Sequence, residues 1–349
     1  MSKLRKKGEE IARFILENVE KNPKGICRLT SQRFGISTQA INYHITRLIE
    51  ANLLAATGAT RNRYYRLCPL TEWRKSYRIA AGAEEYVVWK NDVSMILDKL
   101  PENVVNIWHY GFTEMFNNAI DHSAGTDISV YIRKDALNIE MALHDNGVGI
   151  FKKLQKELGL EDERHAILEL TKGKLTTDAK RHTGEGIFFT SRMFDSFDIL
   201  SGGVFFTHKF DEANDWALEN NILSVGTTVW MKLGNNTART AKKIFDKFTS
   251  GEDYGFNKTI VPVELARYGN DNLLSRSQAK RLTAGVERFK AAVFDFKGIE
   301  FIGPAFADEI FRIFAREHPG VEMSCVNANK DVEAMINKAK ADADADASV

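Results

Sequence analysis

The sequence is poor in cysteine and has no long apolar run. Its three cysteines, Cys27, Cys68 and Cys325, lie far apart and form no CxxC pair, which argues against a zinc site and favours a reducing compartment. No stretch approaches 18 consecutive apolar residues, and no apolar segment follows the charged start as it does in a signal peptide. The sequence therefore predicts a cytoplasmic protein without a membrane span, and its 349 residues suffice for two or three domains.

Aspartate is absent from the first 80 residues, and this absence makes that end of the chain basic. The segment holds 16 Lys and Arg residues against 6 Glu, a net charge of +10, whereas the whole chain carries only +1. The remainder therefore carries −9. This separation of charge predicts an acidic partner for residues 1–80.

The basic segment has the apolar spacing of a helix-turn-helix. A first amphipathic helix is predicted over residues 8–19, and a short second helix over residues 29–34, with a turn at Gly35. Ser37 is the predicted N-cap of a third helix. The residues of the third helix expected to face inward are Ile41, Ile45, Leu48 and Ile49.

The outer face of this third helix and the segment after it are predicted to bind double-stranded DNA. Residues 53–67 indicate a Gly-centred hairpin rich in arginine, which resembles the wing of a winged helix-turn-helix. The predicted DNA-binding residues are Gln39, Asn42, Tyr43, Arg47, Arg61 and Arg63. The alternative is a protein-interaction or dimerisation module, and the charge of +10 favours DNA.

Three short motifs in the middle of the chain predict a nucleotide site. In EMFNNAIDH, Glu114 stands one helical turn before Asn118, so both side chains project from one helix face. In DNGVGI, Asp145 ends an alternating strand and precedes two glycines that allow close backbone approach. In TGEG, Gly184 and Gly186 begin an apolar helix whose first N–H groups suit phosphate oxygens. Singly, the first motif fits a solvated helix face and the second a hairpin turn, and their combination favours the nucleotide site.

The order of these motifs resembles the GHKL superfamily, the ATP-binding fold of gyrase, sensor histidine kinases and mismatch-repair ATPases. The resemblance covers about residues 100–235 and implies a Bergerat-type α/β sandwich that binds Mg-ATP. It implies that Asn118 holds Mg²⁺, that Asp145 accepts the adenine amino group, and that Glu114 is the general base toward the γ-phosphate. The other nucleotide-binding residues that it implies are Gly147, Gly149, Thr183, Gly184, Gly186 and either Thr227 or Thr228.

The third motif departs from the glycine-leucine-glycine pattern of that superfamily because Glu185 stands between its glycines. An acid beside phosphates needs Mg²⁺ or a lysine to offset its charge. The lid over the nucleotide is expected within residues 151–182, where two helical stretches are predicted over residues 151–160 and 161–170. The cations of that segment that could reach the γ-phosphate are Lys172, Lys174, Lys180 and Arg181.

Residues 69–100 are predicted to form a helical connector that ends at Pro101. A sensor histidine kinase has its phosphoacceptor histidine in such a connector, and this segment has none. Histidine autokinase activity is therefore not expected.

Strands and helices alternate after residue 258, which predicts an α/β layer with parallel or mixed strands. The phrase VFDFKGIEFIGPAFADEIF resembles STAS domains, the fold of anti-sigma-factor antagonists. Those antagonists have a phosphorylatable serine at the start of the helix, where this chain has Gly303, Pro304 and Ala305. Phosphorylation of this domain in the known manner is therefore not expected.

Together these patterns predict an α+β multidomain chain. Its predicted segments are a winged helix-turn-helix over 1–68, a helical connector over 69–100, a GHKL ATP-binding domain over 101–235, a linker over 236–258, a STAS-like domain over 259–340 and a disordered acidic tail over 341–349.

Two functions fit this organisation. The first is an ATP-binding, DNA-binding regulator, in which binding and slow hydrolysis of Mg-ATP switch its affinity for DNA or a partner. The alternative is a serine protein kinase or ATPase of the anti-sigma-factor type that acts on a STAS-like or other protein partner. GHKL proteins and winged regulators commonly pair, so the resemblances are compatible with a homodimer, although no heptad pattern in the sequence indicates one.

Overall fold

The computed structural model describes residues 3–59, 62–175, 184–210, 216–250, 255–267 and 272–347. The chain is α+β and divides into two compact units. The first unit consists of residues 1–75, 130–141 and 232–237, and the second of residues 76–129, 142–231 and 238–349. Among the helices described, none is both long and apolar enough to cross a bilayer.

Three helices and a hairpin form most of the first unit. They are α1 (Lys3–Val19), α2 (Ile26–Phe34) and α3 (Thr38–Glu50), followed by β1 (Leu54–Thr57) paired antiparallel with β2 (Tyr64–Leu67). The predicted local signals are present. Gly35 ends α2 with a φ of 62°, and Ser37 Oγ accepts the Ala40 N–H at the start of α3. Helices and hairpin share one apolar core, whose buried members include Ile15, Ile41, Ile45, Leu54 and Leu67.

A five-stranded sheet has the strand order β3-β4-β5-β7-β6. Its strands are β3 (Thr71–Arg78), β4 (Asp127–Lys134), β5 (Asn138–Asp145), β6 (Ser196–Lys209) and β7 (Trp216–Gly234). Along β4 and β5, fully buried residues alternate with partly exposed ones, as expected of strands with one closely packed face.

Strand β3 corrects the prediction of a helical connector over residues 69–100. After this strand come only short helical turns, namely Ile79–Ala81, α4 (Glu85–Val88) and a π-helical turn over Trp89–Val93. The aromatic residues are the physical reason, because Trp73 and Tyr77 lie four residues apart on one partly buried face of β3.

Four helices surround the site described below. They are α5 (Glu102–His122), α6 (Ile150–Leu158), α7 (Glu163–Lys172) and α8 (Gly186–Met193). Helix α5 begins directly after Pro101, where the connector was predicted to end, and buries the large side chains of Trp108, Phe112 and Phe116. Helices α6 and α7 match the two helical stretches predicted after the DNGVGI motif.

The C-terminal part of the second unit contains a parallel three-stranded sheet of order β10-β11-β12. In chain order its elements are α9 (Ala241–Phe248), β8 (Thr249–Ser250), β9 (Gly255–Phe256), β10 (Lys258–Pro262), α10 (Arg276–Thr283), β11 (Ala291–Asp295), α11 (Pro304–Asp308), α12 (Ala315–Glu317), β12 (Glu322–Val326) and α13 (Lys330–Ala347). A π-helical stretch over Glu309–Phe314 joins α11 to α12. The parallel pairing confirms the α/β layer predicted from the alternation.

The segment predicted as a linker over residues 236–258 contains a packed helix, α9. The ring of Phe245 in α9 lies 5.4 Å from that of Tyr110 and 4.7 Å from that of Phe189. Phe248 adds an edge-on contact with Phe188 at 5.0 Å. Apolar residues spaced at Ile244, Phe245 and Phe248 explain this packing, which the polar composition of the segment obscured.

The tail predicted to be disordered from Ala341 is helical as far as Ala347. Alanine has the highest helix propensity, and alternate residues of the tail are alanine. The helix is also anchored upstream, because Val332, Ile336 and Ala339 are buried in the C-terminal core. An acidic composition therefore did not prevent helix formation here.

Candidate functional site

A cavity of about 290 Å³ lies in the second unit. It is lined by residues from α5, β5, α6, α8, β6, β7 and the C-terminal part of α7. Most of the lining is apolar, for example Met115, Leu143, Ile199 and Val229. The polar lining includes Glu114, Asn118, Asp145, Lys153 and Thr227. Apolar walls with a few polar groups are typical of small-molecule sites.

All three sequence motifs contribute to this cavity. Glu114 and Asn118 come from α5, Asp145 from the end of β5, and Gly184 and Gly186 from the start of α8 and the residues before it. The motifs are distant in the chain, so their convergence is a property of the fold. Thr183, the remaining residue predicted from the third motif, lies outside the described residues.

The Asp145 carboxylate is buried, with 6% of the residue exposed. Its Oδ1 accepts the N–H groups of Gly147 at 2.9 Å and Thr227 at 3.3 Å. Burial raises the pKa of Asp145, and these two backbone N–H groups partly oppose the increase. A buried carboxylate in a mostly apolar cavity is a strong acceptor for N–H donors of a ligand.

The structure distinguishes the two threonines that the sequence left open. Thr227 lines the cavity, its Oγ1 accepts the Ile150 N–H at 3.0 Å, and its own N–H reaches Asp145. Thr228 Oγ1 instead lies 2.9 Å from His144 Nδ1. Thr227 is therefore the threonine next to Asp145.

At two positions near the cavity, neighbouring atoms lie so close to the backbone that only glycine fits. A Cβ at Gly147 would overlap the Ser123 carbonyl, which accepts the Val148 N–H at 2.8 Å. A Cβ at Gly186 would overlap the Glu114 carboxylate. Gly147 and Gly149 are not among the residues that line the cavity, so their described role is to shape the turn after Asp145.

Tyr110 is a residue near the site that the sequence analysis missed. Its hydroxyl donates a hydrogen bond to Glu114, one helical turn away on α5. The pKa of Tyr110 is raised mainly by burial, and the negative charges of Glu114 and Glu185 raise it further. The spacing of four residues from Glu114 was the available signal, but it does not distinguish a neighbour of a site from a packed aromatic residue.

Lys153 is a second residue that was missed, and it is a cation in the cavity lining. Its Nζ donates to the His122 carbonyl at 3.0 Å and lies 3.8 Å from Glu157. The carbonyl at the end of α5 thus orients the ammonium group. Nothing in the local sequence separated Lys153 from the neighbouring lysines of α6.

The lysines predicted for the lid have other partners. Lys172 is buried, and its Nζ donates to Glu169 and to the carbonyls of Arg281 and Ala284. Lys174 Nζ donates to the Arg288 carbonyl at 3.0 Å. Burial lowers the pKa of Lys174, and the negative charge of Glu185 partly opposes this. Lys180 and Arg181 lie outside the described residues.

The cavity, as far as the chain is described, supplies too few oxygen donors to bind Mg²⁺ by itself, so a bound ligand would have to supply the others. Among the described residues, no group of three His, Cys, Asp or Glu side chains could hold a metal ion. Asn118 and Glu114 supply hard oxygen atoms from one helix face. Because Mg²⁺ commonly binds through one or two side chains plus substrate phosphates, this donor set fits a metal that arrives with a nucleotide.

In the first unit, α3 presents the predicted face to solvent. Gln39, Asn42 and Arg47 are exposed, as is Tyr43 with 60% of its surface. Ile41, Ile45 and Leu48 are buried as predicted, and Ile49 is half-buried. On the hairpin, Arg63 is exposed, whereas Arg61 lies outside the described residues.

At the start of α11, none of the residues Gly303, Pro304 and Ala305 has a side-chain hydroxyl group. Asp295, at the end of β11, accepts the Lys297 N–H at 3.0 Å and the Asn327 side-chain amide at 2.8 Å. Asp295 thus serves as a cap of the strand end.

Comparison with known families identifies the C-terminal part of the chain. Residues 278–333 match the model of a family described as a STAS-like domain of unknown function (DUF4325). The match covers α10, β11, α11, α12 and β12, and it confirms the STAS-like prediction for this segment. No curated protein matches the chain.

Proposed function

We propose that the cavity binds Mg-ATP and that residues 101–235 are a GHKL-type ATP-binding domain. The observation that carries this proposal is the convergence of Asn118, Asp145 and Gly186 on one largely apolar cavity. An adenine ring is flat and apolar on its faces and has an amino donor at its edge. Asp145 would accept that donor, and the apolar walls would hold the ring.

The other polar groups suit the phosphates. The N-terminus of α8 presents N–H groups near Gly186, and Asn118 would hold Mg²⁺, which neutralises phosphate charge. Glu114 would accept a proton from an attacking water, with its carboxylate oriented by the Tyr110 hydroxyl. Lys153 adds a positive charge to the lining.

We further propose that the first unit binds double-stranded DNA as a winged helix-turn-helix. In support of this, α3 exposes Asn42, Tyr43 and Arg47, and the hairpin exposes Arg63. The surrounding segment carries a net charge of +10. The protein would then be a regulator in which Mg-ATP binding, with slow hydrolysis, alters DNA or partner binding.

A protein kinase of the anti-sigma-factor type is the second candidate, and the STAS-like match favours it. Such kinases act on STAS domains, and the match supplies one at residues 278–333. The absence of a hydroxyl at Gly303, Pro304 and Ala305 argues against phosphorylation of the chain's own domain at that position. A separate protein would then be the substrate.

Calorimetry tests the nucleotide site. Titration of Mg-ATP into the full chain should release binding heat, and Asp145→Asn should abolish it because the adenine amino group loses its charged acceptor. Asp198→Asn is a matched control, because Asp198 lies on β6 of the same sheet but does not line the cavity. Its carboxylate accepts a hydrogen bond from the Ser196 hydroxyl. Full affinity in Asp145→Asn would refute the assignment.

Transfer of label from γ-labelled Mg-ATP separates the two functions. Label on protein supports the kinase, and release of inorganic phosphate that Glu114→Gln abolishes supports the ATPase. A nucleotide-dependent shift in DNA mobility supports the regulator. If DNA mobility were the same with and without nucleotide at every DNA concentration, a nucleotide switch of DNA binding would be excluded.

A further inference from the structure

Helix α7 belongs to the core of the STAS-like part of the chain. Leu168 is buried in the apolar cluster that otherwise consists of residues 261–339, including Val261 on β10 and Phe294 on β11. The Thr259 hydroxyl at the start of β10 donates to the Lys172 carbonyl at 2.7 Å. The helix thus completes a core to which the family match over 278–333 contributes only part.

Lys172 fastens α7 to the end of α10. It is 1% exposed, and its Nζ lies 2.5 Å from Glu169 Oε1, 2.6 Å from the Ala284 carbonyl and 3.1 Å from the Arg281 carbonyl. These three acceptors match the three N–H donors of an ammonium group. The carbonyls at a helix C-terminus carry partial negative charge, which favours the cation.

Polar contacts continue along the same interface on either side of this pair. Arg281 pairs with Glu161 at 3.2 Å, and the Arg164 guanidinium donates to the Arg267 carbonyl at 3.1 Å. Beyond the helix, Lys174 donates to the Arg288 carbonyl, and Arg288 donates to the Lys174 carbonyl at 3.1 Å. Lys174 also lies over the ring of Phe289 at 4.8 Å.

The same segment forms part of the cavity wall. Leu170 and Leu175 line the cavity, two residues before Lys172 and one after Lys174. The Arg192 guanidinium of α8 donates to the Thr171 carbonyl at 3.2 Å, and the first residue of α8 is Gly186, also in the lining. A displacement of α7 therefore changes both the wall of the cavity and the STAS-like core.

We infer that α7 couples ligand binding in the cavity to the STAS-like domain, so that this domain regulates the affinity of the site for Mg-ATP and is regulated by it. This inference rests on the proposed nucleotide site. The coupling is reciprocal, because a ligand that stabilises one arrangement of α7 also stabilises the core that this arrangement completes. The partner that regulates the cavity is thus the chain's own C-terminal domain.

The test uses the full chain as wild type, Lys172→Met, Arg288→Ala and the control Lys156→Met, whose lysine is exposed on α6. Mg-ATP affinity is measured by calorimetry, and amide hydrogen exchange is followed in β11 and β12 with and without Mg-ATP. Nucleotide should slow exchange in the wild type and the control. Lys172→Met should bind Mg-ATP about fivefold or more weakly and lose the exchange response. Arg288→Ala, which removes the guanidinium donor to the Lys174 carbonyl, should weaken binding by a smaller factor, about twofold.

The outcomes separate the two proposals. No heat with the wild type would refute the proposed function and the coupling together, whereas binding heat without an exchange response in β11 and β12 would refute the coupling alone. Wild-type affinity and response in a folded Lys172→Met protein would also overturn it. If Lys172→Met does not fold, Arg288→Ala decides, and wild-type behaviour of that variant would count against the coupling.

Discussion

Asp145 illustrates at the residue scale how one buried carboxylate affects both ligand binding and stability. Burial raises its pKa above that of the unfolded chain. The group therefore favours the folded state fully below the unfolded pKa, and this contribution is lost as pH rises through the folded pKa. The protein tolerates the charged form because two backbone N–H groups hold it.

We expect Asp145→Asn to gain stability relative to the wild type as pH rises through the raised pKa, and the difference to level off above it. Urea unfolding of both proteins between about pH 4 and pH 8 measures this. Asp198→Asn is the control for replacing a carboxylate by an amide outside the cavity lining. A difference between Asp145→Asn and wild type that is independent of pH would show that burial of the charge has no net cost.

Gly186 is the second residue with a defined steric role. In Gly186→Ala, the new methyl group would overlap the Glu114 carboxylate, so the side chain or the start of α8 must move. We expect Mg-ATP to bind about tenfold or more weakly, corresponding to about 1.4 kcal/mol. Gly320→Ala is the matched control, because a Cβ there meets no atom within 4 Å. Equal calorimetric affinities of the two variants would contradict the assignment.

Lys172 and Glu169 form a buried pair whose energetics can be measured directly. Lys172→Met alone leaves the Glu169 carboxylate buried without its cation and should lower the free energy of unfolding by about 3–5 kcal/mol. Glu169→Gln combined with Lys172→Met removes both charges and should cost less. Denaturant unfolding of both single variants and the double variant completes the cycle. Additive losses would mean that the pair does not act as a unit.

The residues of the site were predictable to the extent that their signals are local. The helical spacing of Glu114 and Asn118 predicts that they share a face, and Asp145 is predicted from its position at the end of a strand. Tyr110 and Lys153 were missed because only tertiary packing brings their side chains to Glu114 and to the cavity. The choice between Thr227 and Thr228 needed the strand pairing that points one toward Asp145.

At the scale of elements, α3 and the hairpin allow a test of the DNA proposal. Arg47→Ala and Arg63→Ala should each reduce the slope of log affinity against log salt by about one unit, because each would remove one phosphate contact of the proposed DNA interface. Arg13→Ala is the control, since Arg13 is exposed on α1 and paired with Glu17. Fluorescence anisotropy with a DNA duplex over a salt series measures the slope. Unchanged slopes would favour the protein-interaction alternative.

Periodic elements were predicted well, and elements that depend on distant partners were not. The helices α3, α6, α7 and α8 have apolar spacing or caps that can be read locally. The aromatic residues of strand β3 lie four residues apart, a spacing that also fits a helical face, so the sequence alone predicts a helix there. The polar composition around helix α9 predicts a linker, because the short apolar stripe of this helix becomes a packing surface only beside Phe188 and Phe189.

For the whole molecule, ligand binding should be visible as stability. A ligand that binds only the folded state at 100 times its Kd adds about 2.7 kcal/mol. We expect Mg-ATP to raise the unfolding transition of the second unit in the wild type and in Asp198→Asn, and not in Asp145→Asn. Calorimetric scans with increasing nucleotide measure the shift. An increase of the same size in Asp145→Asn would indicate binding away from the cavity.

The insertion of Leu168 into a core made otherwise of residues 261–339 has a practical consequence. The C-terminal part of this chain is not a detachable module, because a fragment starting at residue 238 would leave an open apolar slot where α7 belongs. We expect such a fragment to self-associate, and a synthetic peptide spanning residues 160–175 to restore its solubility by complementation in trans. The fragment and the peptide would then form a split protein, and their reassembly would measure the stability of the interface between α7 and the C-terminal core.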